Sequence, residues 1–169
     1  MRVTRRVWRH VPVGAEPLHL GWILKAGRGR WNSRRPRLPC LYTSFTPETA
    51  IAEFEKHVSA YGAGALRRDL VSIDVSVGPV LDVTCPATLR RYGLSPAALG
   101  SDDPYDLARC RALAARAVID DDHRAILAPS AALPGGTNLM IYIESRAGRL
   151  ELANGPDRIT ITPGFRLGS

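Results

Sequence analysis

Three short stretches carry residue types that could do chemistry. GRGRWNSRR, Gly27 to Arg35, places Arg30 beside Trp31. A guanidinium offers a planar fork of donors that matches phosphate oxygens, and an adjacent indole can stack on a flat ring. Glu53 lies in TAIAEFEKHV, on the helix side shared by Ala50 and His57, where a small neighbour lets a ligand or another segment approach. Ser130 lies in ILAPSAALPGG, where a hydroxyl after a strand can orient a ligand by hydrogen bonding. Spacing alone favours plainer readings: a solvated basic loop with its tryptophan folded onto the core, an exposed helix glutamate, and a turn serine.

Other chemistries are excluded or unsupported. There is no GxSxG elbow and no phosphate-binding Walker loop. Gly27-Arg28-Gly29 lacks the third glycine and the strand–turn–helix setting of a dinucleotide fingerprint. No HExxH and no Cys/His cluster argues for a metal. The histidines, His10, His19, His57 and His123, show no paired spacing and read as surface or packing residues. Cys40, Cys85 and Cys110 form no CxxC pair and read as small buried thiols.

The elements that must position these residues are legible in outline. Arg6 to Val11 reads as a short strand ended by Pro12. Val13 to Cys40, rich in Gly, Pro and Arg, reads as irregular and exposed, and Leu41 to Ser44 as a short strand. Thr46, Pro47 and Glu48 suit the cap and first turn of a helix. Ile51, Phe54, Val58 and Tyr61 form its buried stripe, and Gly62 and Gly64 end it. Leu70 to Val77 alternates, with Val71, Ile73, Val75 and Val77 on one face. Gly78-Pro79 breaks that strand and Val80 to Thr84 resumes it. Asp103 and Pro104 start a second helix with Leu107, Cys110, Ala114 and Ala117 on its packed face. Ala125 to Leu127, Asn138 to Ile143, Leu150 to Leu152 and Ile159 to Ile161 are further strands, the last two joined by a turn at Asn154 to Asp157. The irregular order predicts an α+β domain on a mainly antiparallel sheet.

The 169 residues suffice for a single domain, 1–169, with its own core. No apolar run is long enough to span a bilayer. The basic N-terminus has no apolar signal core after it, so a cytoplasmic location is expected. The net charge is +7, with lysine only at Lys25 and Lys56, which favours anionic partners. A nucleic-acid-binding module using Arg28, Arg30, Arg34 and Arg35 is one such reading, weakened by an aromatic content of 7%.

Taken together, the three stretches resemble the RES domain, the toxin of bacterial RES–Xre toxin–antitoxin pairs. The resemblance rests on GRWN (Gly29 to Asn32), LYTS (Leu41 to Ser44), ETAIAE (Glu48 to Glu53), VLDVT (Val80 to Thr84), ILAPSA (Ile126 to Ala131) and TNLMIY (Thr137 to Tyr142). It departs from the family after GRWN, where no glycine follows, and after Ile141, where no Asn-Pro turn appears. The resemblance implies an ADP-ribosyltransferase-like fold and an enzyme that cleaves the nicotinamide–ribose bond of NAD, by phosphorolysis or hydrolysis. Arg30, Glu53 and Ser130 are then the catalytic residues, and Trp31 and Tyr42 bind substrate. It implies no metal and no cofactor beyond NAD as substrate, with inorganic phosphate as a co-substrate if the reaction is phosphorolysis. An Xre-type antitoxin is the implied partner, in a complex that could hold more than one toxin copy, with nucleic acid reached only through the antitoxin and no membrane contact. Transfer of ADP-ribose to a protein is the alternative outcome.

Overall fold

The computed structural model describes residues 1–18, 20, 29–34, 37–61, 66–142 and 157–167. Arg28, Arg35, His19, Gly62, Gly64, the Leu150 to Leu152 strand and most of the Asn154 to Asp157 turn lie outside these residues, as do the side chains of Arg34 and Tyr61.

The strands run β1 (Val3–Pro12), β2 (Ser33–Arg34), β3 (Arg37–Leu38), β4 (Leu41–Ser44), β5 (Arg68–Val77), β6 (Val80–Asp82), β7 (Ala125–Pro129), β8 (Thr137–Ile141) and β9 (Arg158–Ile161). The helices are α1 (Pro47–Tyr61), α2 (Pro86–Arg91), α3 (Pro96–Gly100) and α4 (Pro104–Ile119). Seven strands form one sheet in the order β6-β7-β8-β4-β1-β5-β9, while β2 and β3 pair apart from it. Among the described residues only the β6–β7 pair is parallel. The expected α+β fold with a mainly antiparallel sheet is therefore the fold observed.

β1 is the spine. It pairs with β5 from Val3↔Val77 to Pro12↔Arg68 and reaches β4 through Trp8↔Ser44. Because side chains alternate across a sheet, this register sorts the residues by face. One face carries Val7, Leu41, Ile73, Leu139 and Ile141, a single apolar cluster. The other carries Trp8, His10, Tyr42, Ser44, Asn138 and Met140, and the helices pack there. At one end α1 buries Ala50, Ile51, Phe54 and Val58 against Leu70 and Ile161. At the other, α2, α3 and α4 bury Leu89, Leu99, Cys110, Leu113 and Ala114 against Ile126, Ala128 and Met140. Between the two helical groups the sheet is left uncovered, and a cavity forms.

Local chemistry explains the helix starts. Thr46 Oγ1 accepts from the Thr49 amide at 3.2 Å, as a cap should. Asp103 Oδ1 accepts from the Tyr105 amide at 2.8 Å. Ser95 caps α3 by accepting from Ala98 at 3.3 Å. α2 and α3 have no counterpart in the sequence reading, because six and five residues are too few to show a helical period.

The sequence reading needs three corrections. The segment before β4 is not simply exposed, since Asn32 is buried together with Trp31 and Cys40, the two residues already read as packed. Cys85 is exposed, unlike Cys40 and Cys110, because it precedes a surface helix. Ser72, placed on the polar face of β5, is 2% exposed and bonds Asp157, its hydroxyl donating to the carboxylate and accepting from the amide.

Candidate active site

The cavity between the helical groups has a volume of about 430 Å³. Arg30, Trp31, Tyr42, Glu53 and Asn138 all line it, and Ser130 lies just behind its wall between the lining residues Pro129 and Ala131. Residues far apart in the chain are thus brought to one place.

Glu53 sits on α1 with Ala50 and His57 on the cavity side, as helical spacing predicts. Its Oε1 accepts from Ser130 Oγ at 2.7 Å and from Asn138 Nδ2 at 2.6 Å. Each donor is itself held. Ser130 Oγ accepts from the Ala132 and Leu133 amides at 3.1 and 3.0 Å. Asn138 Oδ1 accepts from Ser44 Oγ at 2.7 Å. Two donors on one oxygen orient the carboxylate and leave Oε2 for a ligand. The loop after Ser130 is tied back by Ser130 N–H to Gly136 O at 2.9 Å and Gly136 N–H to Leu133 O at 2.9 Å.

Arg30 points inward, its side chain 11% exposed. Its Nη1 donates to Ser101 O at 2.6 Å and Ala98 O at 3.3 Å, and its Nη2 to Asp102 Oδ1 at 3.0 Å. The basic stretch therefore does not offer Arg30 to a large surface partner. Trp31 is 4% exposed and joins the core of Cys40, Met140 and Tyr142 while bordering the cavity. Its amide donates to Tyr42 Oη at 2.9 Å, and its carbonyl accepts from Tyr142 Oη at 3.0 Å. Burial raises the Tyr42 and Tyr142 phenols well above their ordinary values, so both stay protonated.

Gly29 makes room for this loop. A Cβ there would stand 2.3 Å from Tyr42 Oη and 2.9 Å from Cζ, and the carbonyl is held by Arg111 Nε at 3.1 Å. Gly29→Ala should cost about 1–3 kcal/mol, the usual range for overpacking. Urea unfolding checks this, and an unchanged midpoint would mean that the loop moves freely off Tyr42.

Two of the histidines, read as surface or packing residues, also border the cavity. His10 and His57 line the cavity, their rings 6.3 Å apart. Burial, with the nearby Arg68 charge second, pushes His10 down to about 3. Burial also lowers His57. Both rings are neutral at neutral pH. Arg68 Nε donates to His10 Nδ1 at 3.4 Å, which assigns the His10 proton to Nε2. Arg9, another lining residue, donates to Pro17 O at 2.7 Å. Lys56 and Asp102 also line the cavity. Lys56 had a signal in the sequence, since it follows Glu53 by three positions and shares its helix face. Asp102 had none. Among the described residues, no group of three His, Cys, Asp or Glu side chains is placed to hold a metal ion. No helix among them is long and apolar enough to cross a membrane.

A mainly antiparallel seven-stranded sheet with its helices massed over one face, and a tethered carboxylate between them, defines an α+β protein, in keeping with the ADP-ribosyltransferase-like fold that the resemblance implies. The family model described as the RES domain matches residues 2–158, and the chain belongs to that family. Among solved structures, a chain of the M. tuberculosis MbcT–MbcA toxin–antitoxin complex matches with a TM-score of 0.72 at 22% identity. The match covers 96% of this chain and 86% of that one. No curated protein matches the sequence.

Proposed function

We propose that this chain is a toxin that degrades NAD by cleaving its nicotinamide–ribose bond, and that a cognate antitoxin of the Xre type neutralises it in the cytoplasm. The observation that carries this reading is the Glu53 carboxylate, held in the cavity wall by Ser130 and Asn138 through one oxygen. Breaking the bond develops positive charge on the ribose, as in glycoside cleavage. An oriented carboxylate in a cavity is suited to stabilise that charge or to hold a ribose hydroxyl. Nicotinamide leaves as a neutral molecule, so the neutral His10 and His57 rings are no obstacle and no strong general acid is needed.

In this reading Arg30, Glu53 and Ser130 are the catalytic set, with Ser130 acting by its grip on Glu53. Arg30 takes the pyrophosphate or an incoming phosphate. Trp31 and Tyr42 form the wall against which a flat ring of the substrate rests. NAD is consumed as substrate, and phosphate or water accepts the ADP-ribosyl group. The likeness to a chain of a toxin–antitoxin complex supports the toxin role and the existence of a protein inhibitor.

Product analysis tests the proposal. Purified protein incubated with NAD should release nicotinamide. Faster release with added phosphate, and ADP-ribose carrying a new anomeric phosphate, identifies phosphorolysis; plain ADP-ribose identifies hydrolysis. A folded protein that leaves NAD intact under both conditions sinks the reading.

A further inference from the structure

One charge arrangement in the cavity adds two residues, Lys56 and Asp102, to the Arg30 that the reaction above already uses. Asp102, on the segment joining α3 to α4, stands between two cations. Its Oδ1 accepts from Arg30 Nη2 at 3.0 Å, and its Oδ2 pairs with Lys56 Nζ at 3.0 Å. All three residues line the cavity. The partners differ sharply in exposure: the Asp102 side chain is 67% exposed, Lys56 34% and Arg30 11%.

Arg30 does not depend on Asp102 for its position. Its other terminal nitrogen is bonded to the Ser101 and Ala98 carbonyls at 2.6 and 3.3 Å. Lys56 has a second acceptor in Ala131 O, at 3.4 Å. Both cations therefore keep protein partners if the carboxylate leaves. A carboxylate that gives one oxygen to a guanidinium and the other to an ammonium mimics two oxygens of a phosphate group. A phosphate group offers more acceptor oxygens than a carboxylate, and a free or terminal phosphate also carries more charge, so it competes well for the same donors. An ion pair with so exposed an acidic partner is weak and can open without disturbing the core.

We propose that Arg30 and Lys56 form a subsite for a phosphate group of the ligand, and that Asp102 fills it as an internal substitute that must swing out when the ligand binds. The proposal deepens the NAD reading by adding Lys56 and Asp102 to the same cavity, and it rests on that reading for the phosphate-bearing ligand and for the place of Arg30. While Asp102 is in place the site is closed to anions, so apparent affinity is reduced by the fraction of molecules that are closed. Removing the carboxylate removes that handicap.

The test uses the full chain and two probes titrated separately at low salt, ADP and inorganic phosphate. Asp102→Asn, and Asp102→Ser as a second variant, should tighten binding of at least one probe by roughly fivefold, the scale of a surface ion pair. Lys56→Gln should weaken the same probe by a similar factor, and the gain from Asp102→Asn should shrink in the Lys56→Gln background. A response to ADP alone assigns the subsite to a diphosphate of the ligand, and a response to inorganic phosphate alone assigns it to a free phosphate. Unchanged or weaker affinity for both probes, in folded Asp102 variants, overturns the proposal. Nicotinamide release from NAD is measured in parallel. Tighter ADP binding without release keeps the subsite and removes the NAD reaction; release without any change in probe affinity does the reverse.

Discussion

Glu53→Gln is expected to cut nicotinamide release by about 10²–10³-fold, the usual loss when one charge-stabilising group is removed. The substitution is close to isosteric. The glutamine carbonyl can still accept from Ser130 Oγ and Asn138 Nδ2, which bond Glu53 at 2.7 and 2.6 Å. The fold should therefore persist, with an unchanged thermal transition. What is lost is the negative charge of the carboxylate that lines the cavity. Ser130→Ala and Asn138→Ala each keep the charge and remove one orienting donor, so both should retain more activity than Glu53→Gln. Steady-state release of nicotinamide, measured beside a melting curve, separates these outcomes. Normal turnover by Glu53→Gln would assign the carboxylate a structural role.

Trp31→Ala is expected to have the largest effect on stability, about 3–5 kcal/mol, the usual cost of deleting a buried large aromatic side chain. Trp31 is 4% exposed and packs with Cys40, Met140 and Tyr142. Its indole thus anchors the loop that carries Arg30, whatever it does for a ligand along its cavity edge. A tryptophan that only stacked on substrate would behave differently, raising the KM and leaving the denaturation midpoint alone. Trp31→Phe should keep most of the stability, because the ring still fills the space. Denaturant unfolding of the two variants decides the matter: an unshifted midpoint in Trp31→Ala would contradict the packing role.

Some of the site was legible because it follows from local periodicity. Helical spacing on α1 puts Ala50, Glu53 and His57 along one edge of the buried stripe, and these residues line the cavity. Thr46 and Asp103 were legible as caps because capping involves residues two or three apart. Other parts were not legible. Asn32 looked exposed because its stretch is basic and glycine-rich, yet it is buried, as Trp31 was read to be. His10 read as an isolated histidine, and only the β1–β5 register and the packing of α1 bring it to His57.

The sequence by itself determined the elements whose signals are local: the core of β1, read as a shorter strand than the Val3–Pro12 observed, the strand β5, the helices α1 and α4, the serine after β7, and the cationic balance. It also determined the family, through short motifs kept in order along the chain. Only the tertiary structure decided which side chains meet. Ser130 and Glu53 are 77 residues apart and bond directly. Arg30 and Asp102 are 72 apart and form an ion pair. Contacts at such separations depend on strand order and register, and on how α1 and the α3–α4 pair close over one sheet face. No period within a segment encodes that. The GRGRWNSRR stretch shows the difference plainly: its composition suggests an exposed basic surface, while the fold turns Arg30 inward beside the packed Trp31.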